Sequence, residues 1–245
     1  MDKQPGGLYT VPVLKKTRAL KVCVLAGAAG LMAACSTSKY SPYASPSRDF
    51  VCYAPTAWRV ARATQGRIYE NTTWLGPLDS VFVRGRPSVT VRWYSYGEPH
   101  VLPDGLLESY SSADDFIRET LRTLYGPRYV LEVPVHGVRL IASGLEAKDF
   151  VVLSPGSAAG LGSFGVSVDS RTGLRAVWRR HEYVVVTLQR GFYVLIYPAT
   201  YQGYEFYKSD FDELVNTFIP VTEGPGGPAI AYARGGFVSR RPTRS

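Results

Sequence analysis

The sequence predicts an α+β domain in which two helices pack on one face of an antiparallel sheet. Three observations predict it: several segments show the alternation and the β-branched or aromatic enrichment of strands, the connections between them are too short for crossover helices, and two segments repeat apolar residues with helical periodicity. The predicted strands are Val81–Val83, Ser88–Tyr96, Tyr129–Val135, Gly137–Ala142, Ala147–Leu153, Ala176–Leu188 and Phe192–Tyr197.

The first predicted helix begins at Ser111 or Ser112, whose hydroxyl caps it, and ends at Gly126-Pro127. Its apolar face consists of Phe116, Ile117, Thr120, Leu121 and Leu124. The second predicted helix begins at the capping residue Ser209 and ends before Pro220. Its apolar residues recur at intervals of three and four, at Phe211, Leu214, Val215 and Phe218. Both apolar faces need a sheet to cover, which gives the predicted layers.

The amino-terminal segment has the pattern of an export signal that ends in a lipidation site. Four basic residues between Lys15 and Lys21 precede an uncharged apolar and small-residue run from Val22 to Ala34, which is too short to span a bilayer. Its ending, Leu31-Met32-Ala33-Ala34-Cys35, resembles the lipobox of bacterial lipoproteins, which implies acylation of Cys35 and attachment to a membrane through the acyl chains. The alternative is an ordinary secretory signal cleaved near Ala34, which would leave a soluble periplasmic protein.

Removal of residues 1–34 sets the organisation and the charge of the mature chain. Residues 35–49 are rich in Ser, Pro and Tyr and predict a tether, residues 50–221 predict the folded domain, and residues 222–245 predict a disordered tail rich in Gly, Pro and Arg. The net charge falls from +8 to +4, and an exported protein does not meet nucleic acid, so no nucleic-acid partner is predicted.

The densest charge cluster of the domain runs from Arg175 to Glu182 on a predicted strand. Alternation places Arg179 and His181 on one face and Trp178, Arg180 and Glu182 on the other. Trp178, Arg180 and Arg179 are candidate binding residues, because an indole beside a guanidinium can stack or bind an anionic partner. The alternative is a solvent-facing strand whose charges protect an edge from aggregation.

The sequence carries no motif that indicates a catalytic, cofactor or metal site. Gly160–Gly165 matches G-x-G-x-x-G, but a dinucleotide site needs a helix next, and the following residues alternate like a strand. We interpret Ser154–Gly165 as a flexible loop. The three histidines are isolated from one another, and neither G-x-S-x-G nor H-E-x-x-H occurs. No cofactor, no metal and no enzymatic activity are therefore predicted.

Four pieces of the chain carry a family resemblance: Phe50–Trp58 with its Ala-Pro-x-x-Trp ending, the helix near Asp114–Gly126, the strand Arg179–Leu188 followed by Gly191–Leu195, and the closing Phe211–Phe218. Their order resembles the PsbP-like fold, which an extrinsic photosystem II protein shares with bacterial lipoproteins of the DcrB type. The matching residues are core and turn positions, so the resemblance implies fold rather than activity. Members of the group that are understood act as assembly or interaction modules.

These patterns predict a lipid-anchored protein of the bacterial cell envelope that acts as a non-enzymatic interaction or assembly module for another envelope protein. Ser36, after the cysteine, resembles the outer-membrane sorting class of Gram-negative bacteria, which predicts an outer membrane location facing the periplasm. The alternative is a carrier or sensor of a small apolar or anionic ligand, bound near Trp58, Trp93 or Trp178. That alternative requires a cavity with convergent polar groups.

Overall fold

The computed structural model describes residues 38–78, 87–102, 105–125, 129–156, 168–169, 173–174, 177–201 and 203–231, with all their side chains except those of residues 124, 136–138, 155–156, 168–169, 173–174 and 177–178. The predicted signal peptide with Cys35, the predicted strand Val81–Val83, the motif Gly160–Gly165 and residues 232–245 lie outside the described residues.

Most of the described chain is antiparallel sheet. The strands are β1 Tyr40–Ala44, β2 Phe50–Pro55, β3 Arg59–Gln65, β4 Tyr69–Leu75, β5 Ser88–Ser95, β6 His100–Val101, β7 Leu107–Glu108, β8 Val130–Leu140, β9 Glu146–Gly156, β10 Val168–Asp169, β11 Gly173–Leu174, β12 Val177–Thr187, β13 Gly191–Tyr197 and β14 Ile219–Pro220. The helices are α1 Ala113–Thr120, which continues as a π-helical turn over Leu121–Tyr125, and α2 Tyr204–Thr217. No described helix is long and apolar enough to cross a membrane.

The main sheet has seven strands in the order β3-β4-β5-β13-β12-β9-β8, and each neighbouring pair is antiparallel. A smaller sheet joins β1, β2 and β14, and β6–β7 and β10–β11 form short pairs. The predicted α+β class, with an antiparallel sheet and two helices, is confirmed.

The two helices lie on opposite faces of the main sheet. Every residue of the central strand β13 is buried, and its side chains alternate between two apolar clusters. Phe192 and Val194 pack under α1, whereas Tyr193 and Leu195 pack under α2 and the β1–β2–β14 sheet. The prediction that both helices share one face is wrong, because a sheet that is apolar on both faces needs a cover on each.

Helix α1 begins as the sequence predicts and ends differently. The Ser112 hydroxyl accepts the Asp115 N–H at 3.0 Å, which satisfies one donor of the first turn. The last turn, Leu121–Tyr125, is π-helical and so contains more residues than an α-helical turn. At its end the Tyr125 ring lies in the core, with 7% of the residue exposed. The π-turn thereby determines where the Tyr125 hydroxyl lies.

The N-cap of helix α2 lies six residues earlier than predicted. Its N-cap is Gly203, which makes no side-chain cap hydrogen bond, so Ser209 lies inside the helix rather than at its start. The predicted apolar residues Phe211, Leu214 and Val215 are fully buried against the sheet. The earlier start adds Tyr204, whose hydroxyl is held by a buried carboxylate described below.

Residues 40–49 belong to the fold and not to a tether. Strand β1 pairs with β2 along its whole length, and the turn that follows it buries Ser45 and Asp49. The Ser47 hydroxyl donates to Asp49 Oδ1 at 2.6 Å, and Tyr193 Oη donates to Asp49 Oδ2 at 2.7 Å. The predicted tether is therefore wrong for these ten residues, whose polar composition reflects a hydrogen-bonded turn.

The start of the predicted disordered tail is also ordered. Thr222 and Ala229 form an isolated bridge, and the Glu223 carboxylate accepts the backbone N–H groups of Gln189 and Arg190, at 2.9 and 3.3 Å, in the β12–β13 turn. The prediction of disorder is wrong for residues 222–231, because the Gly-Pro composition here serves a tight, docked turn.

Candidate binding site

The strand that carries the candidate binding residues lies inside the main sheet, between β9 and β13. Arg179 is 2% exposed and faces α1, and Arg180 is partly buried and faces α2. The alternation predicted for these residues is confirmed, and the alternative of a solvent-facing edge strand is wrong. The side chain of Trp178 lies outside the described side chains. The two arginines are therefore not brought together in one site.

On the α1 face, Tyr125 joins β12 through two short hydrogen bonds. Its hydroxyl lies 2.7 Å from His181 Nδ1 and 2.6 Å from the Tyr183 hydroxyl. Burial, followed by the positive charge of Arg179, lowers the pKa of His181 to about 3. The imidazole is therefore neutral near pH 7 and is poorly suited to acid–base catalysis there.

An open groove lies beside this cluster, between α1 and the edge strand β8, and we call it the α1–β8 groove. Its volume is about 610 Å³, and it opens to solvent along its outer side. Its lining residues are Asp114, Ile117, Arg118, Leu121, Arg122, Tyr129 and Val135. The apolar members and Tyr129 form the floor. The rim arginines Arg118 and Arg122 pair with carboxylates three residues earlier on the same helix turns, so the rim charge is largely balanced.

The edge strand β8 exposes apolar side chains on both faces of the sheet. Val130, Val133 and Leu140 are 57%, 37% and 66% exposed. Val130 and Val133 pair with Leu153 and Val151 and lie on the α2 face, so they do not line the groove. The pairing of β8 with β9 shifts register twice between Leu131 and Gly137, and Pro134 donates no backbone hydrogen bond there. The predicted strands Tyr129–Val135 and Gly137–Ala142 are thus one irregular strand, with bulges of the kind that protect an edge from backbone pairing.

On the α2 face, a buried carboxylate collects three partners. The Glu182 side chain is 3% exposed and lies 3.4 Å from the Arg139 guanidinium and 3.1 Å from the Lys208 ammonium. The Tyr204 hydroxyl donates to the same carboxylate. Because a buried carboxylate needs compensation by charge and hydrogen bonds, these groups hold β12 against α2.

The partners of Glu182 are themselves bound to further groups. Arg139 reaches Asp149 at 3.6 Å, Asp212 at 3.0 Å and Asn216 at 2.8 Å. Lys208 pairs with Asp212 at 2.5 Å. We call these residues, with Glu182 and Tyr204, the Glu182 network.

Arg180 lies at the border of this network. Its Nε donates to Glu132 at 2.6 Å, its Nη1 donates to Glu205 at 2.9 Å, and its guanidinium lies 4.1 Å from the centre of the Tyr204 ring. The Arg180 guanidinium thus stacks on Tyr204, and the predicted pairing of Arg180 with Trp178 lies outside the described side chains. Two carboxylates already occupy the guanidinium, so it offers little to an anionic ligand.

Asp149 gives the Glu182 network a pH dependence. Burial, followed by the negative charge of Glu182, raises its pKa from 3.8 to about 6. An acid whose pKa is raised by folding contributes most to stability below its unfolded pKa and loses that contribution as the pH rises through 6. We therefore expect Asp149→Asn to match the wild type at pH 4 and to exceed it by about 1–3 kcal/mol at pH 8.

Urea unfolding of wild type and Asp149→Asn at several pH values between 4 and 8 measures this difference. The pH dependence of all other groups cancels when the two proteins are subtracted. A difference that stays constant with pH would contradict the raised pKa of Asp149.

The described residues contain no group of three or more His, Cys, Asp or Glu that could hold a metal ion. Trp93, one of the tryptophans that the carrier hypothesis places near a ligand, is 1% exposed and packs against Tyr193 in the core. Trp58 is partly buried, with its ring centre 6.0 Å from that of Tyr207. Sequence reasoning missed Tyr125, whose only signal was its place before the helix-ending Gly126-Pro127.

No protein-family model and no curated protein matches the chain. Solved structures do resemble it. One is the cyanobacterial PsbP of Synechocystis, with 12% identity and a TM-score of 0.42, over 79% of this chain and 99% of that one. PsbP, a member of the group that the sequence resembles, is therefore among the structural neighbours.

Two further structures are similar at the same level. A Pseudomonas aeruginosa protein of unknown function has 12% identity and a TM-score of 0.39, over 74% of this chain and 96% of that one. A Bacteroides thetaiotaomicron protein has 11% identity and a TM-score of 0.39, over 76% of this chain. The chain spans 50% of the length of the Bacteroides protein.

Proposed function

We propose that this chain is a lipoprotein of the bacterial cell envelope, anchored through acyl chains on Cys35, whose domain binds another envelope protein and catalyses no reaction. The anchor is supported by the basic, apolar and small-residue order that ends at Cys35. Ser36 favours the outer membrane, with the domain facing the periplasm. His181 is buried and hydrogen-bonded to Tyr125, which favours a structural role for this histidine.

The observation that carries the binding role is the α1–β8 groove, with its apolar floor. Pockets for small ligands enclose most of the ligand surface, whereas this groove is open along its outer side. An open groove with an apolar floor fits a polypeptide better than a small molecule. This favours the interaction module over the carrier.

The occupant that fits the groove is an extended segment of a partner protein with apolar side chains at alternate positions. Alternation matches the groove, because only one side of such a segment meets Ile117, Leu121 and Val135. The bulges and Pro134 restrict main-chain pairing along β8, so affinity rests on side chains rather than on an added strand. Because the rim charges are paired, the segment needs no net charge.

Photo-crosslinking in the native host tests this proposal. A photoreactive residue at Arg122, which lines the groove, is expected to form a discrete adduct, whereas one at Leu107 in β7 is not. The Arg122 side chain is 70% exposed and Leu107 is 69% exposed, so the two positions are matched in access. The adduct should map to a short segment with alternating apolar residues.

A synthetic peptide of that segment should then bind the purified protein, and Val135→Asp should weaken it about tenfold or more because a charge replaces part of the groove floor. Val60→Asp, in the opposite edge strand β3, should leave the affinity unchanged. Equal adducts at positions 122 and 107, or a mapped peptide that Val135→Asp binds as tightly as wild type, would overturn the groove as the binding surface. A small ligand that copurifies with wild type and is lost from Val135→Asp would favour the carrier instead.

A further inference from the structure

The described chain begins next to α2, and this position limits where a lipid anchor can lie. Lys39 Nζ lies 2.9 Å from Asp210 Oδ1 and 3.3 Å from the Ser209 hydroxyl. Tyr40 Oη donates to the Ser209 carbonyl at 3.4 Å. Side-chain contacts therefore fix the start of the domain to the middle of α2.

A second set of contacts fixes the same segment to the turn after β2. The Thr56 N–H donates to the Lys39 carbonyl at 2.9 Å, and the Thr56 hydroxyl donates to the Ser38 carbonyl at 2.9 Å. Trp58, two residues further on, places its ring near Tyr207 of α2. The start of the domain is thus held from two sides.

Four residues separate Cys35 from Lys39. Even when fully extended, four residues span only about 14 Å. An acylated Cys35 lies at the bilayer surface, so the backbone of Lys39 must lie within about 14 Å of the lipid headgroups. The middle of α2 lies one lysine side chain further on. A tether this short leaves the domain little freedom to turn another face to the membrane.

Large aromatic side chains are exposed on α2 and in the turn before it. Phe206 precedes Ser209 and Asp210 by three and four residues and shares their side of α2, and it is 52% exposed. Tyr201, in the turn before α2, is also 52% exposed. We call Phe206 and Tyr201 the α2 aromatic patch. Amphipathic aromatic rings are enriched where protein meets lipid headgroups.

We propose that the α2 aromatic patch docks on the phospholipid surface to which Cys35 is anchored. This inference rests on the lipid anchor of the proposed function and adds the face that meets the membrane. Docking by α2 turns the opposite face of the sheet, with α1 and the α1–β8 groove, away from the bilayer. The groove then remains open to a partner in the periplasm.

The lipidated full-length protein, reconstituted in vesicles of phosphatidylethanolamine and phosphatidylglycerol, tests this orientation. A polarity-sensitive fluorophore is attached to Phe206→Cys or, as a second variant, to Tyr201→Cys. Native thiols interfere little, because Cys35 carries the lipid and Cys52 is buried with its pKa raised to about 12. The matched control is Leu107→Cys in β7, which is 69% exposed and lies on the α1 side of the sheet.

Lipids brominated in the acyl chains are expected to quench the labels at 206 and 201 about twofold or more beyond the label at 107, because bromine quenches only groups near the acyl chains. Equal quenching at 206, 201 and 107 would overturn the docked orientation. The intact mass of the same protein, with Cys35→Ala as control, reports the anchor separately. An acylated protein whose labels are quenched equally refutes only the docking, whereas an unacylated wild type refutes the anchor and the docking together.

Discussion

Replacement of Glu182 by alanine is expected to lower the free energy of unfolding by about 2–4 kcal/mol, because it leaves two cations without their shared buried counterion. Glu182 is the most buried member of its network and binds Arg139, Lys208 and Tyr204 at once. Asp212 remains near both cations, which keeps the loss below that of a fully isolated charge. Urea unfolding at pH 7 measures the effect.

Glu205→Ala is the matched control for this variant. Glu205 also pairs with an arginine, but its side chain is 73% exposed, and exposed ion pairs contribute about 0–1 kcal/mol. Glu182→Gln supplies a second measurement. It keeps the shape of the side chain and removes the negative charge that helps to raise the pKa of Asp149. We expect the pKa of Asp149 to fall in this variant, as followed by carboxyl chemical shifts. Equal losses in Glu182→Ala and Glu205→Ala would contradict the central role of Glu182.

The sequence predicted strands best where the side chains alternate between different environments or run continuously apolar. Ser88–Tyr96 and Phe192–Tyr197 were predicted, and the structure has β5 and β13 within one residue of those bounds at each end. Strands β3 and β4 were missed because β3 is mostly exposed and polar. β4 pairs with β5 and β3 pairs with β4. Their strand conformation therefore depends on these pairings rather than on their own composition.

The periodicity of a helix does not determine which face of the sheet the helix covers. Phe116 and Phe211 each lie on a helix face that needs cover, and nothing in either helix states which side of the sheet provides it. The information was in β13, where six consecutive large apolar residues, Phe192–Tyr197, leave no polar face for solvent. A strand that is apolar on both faces predicts a cover on each.

The candidate binding residues show the same limit at the level of a site. Alternation correctly separated Arg179 from Arg180, yet it did not reveal that both are partly or fully buried in the interior of the sheet. Arg179 interacts electrostatically with Tyr125, and Arg180 binds Glu132 and Glu205. These partners come from other elements, so only the fold brings them together. The α1–β8 groove could not be predicted from the sequence either. The spacing of Ile117 and Leu121 shows that they form an apolar helix face, but not that a groove lies beside them.

A large loss of stability is expected from substitution of Gly224, in the segment that docks beside the β12–β13 turn. Its φ is +81°, and a Cβ built there would lie 2.2 Å from Trp93 Cε2. Alanine would therefore be strained in its backbone and would collide with a fully buried indole. We expect Gly224→Ala to lower the free energy of unfolding by about 2–4 kcal/mol.

Gly97→Ala separates the cost of the positive φ from the cost of the collision with Trp93. Gly97 has a similar φ of +69°, but a Cβ there would meet nothing within 4 Å, so this variant pays only the backbone cost of about 1–2 kcal/mol. Urea unfolding compares the stabilities, and near-ultraviolet circular dichroism reports the environment of Trp93. Gly224→Ala should also loosen the hydrogen bonds from Gln189 and Arg190 to Glu223, which amide exchange would detect. If both glycine variants lose the same stability and Gly224→Ala keeps the Trp93 signal, then residues 222–231 do not pack on Trp93, and composition alone would have described that segment correctly as a tail.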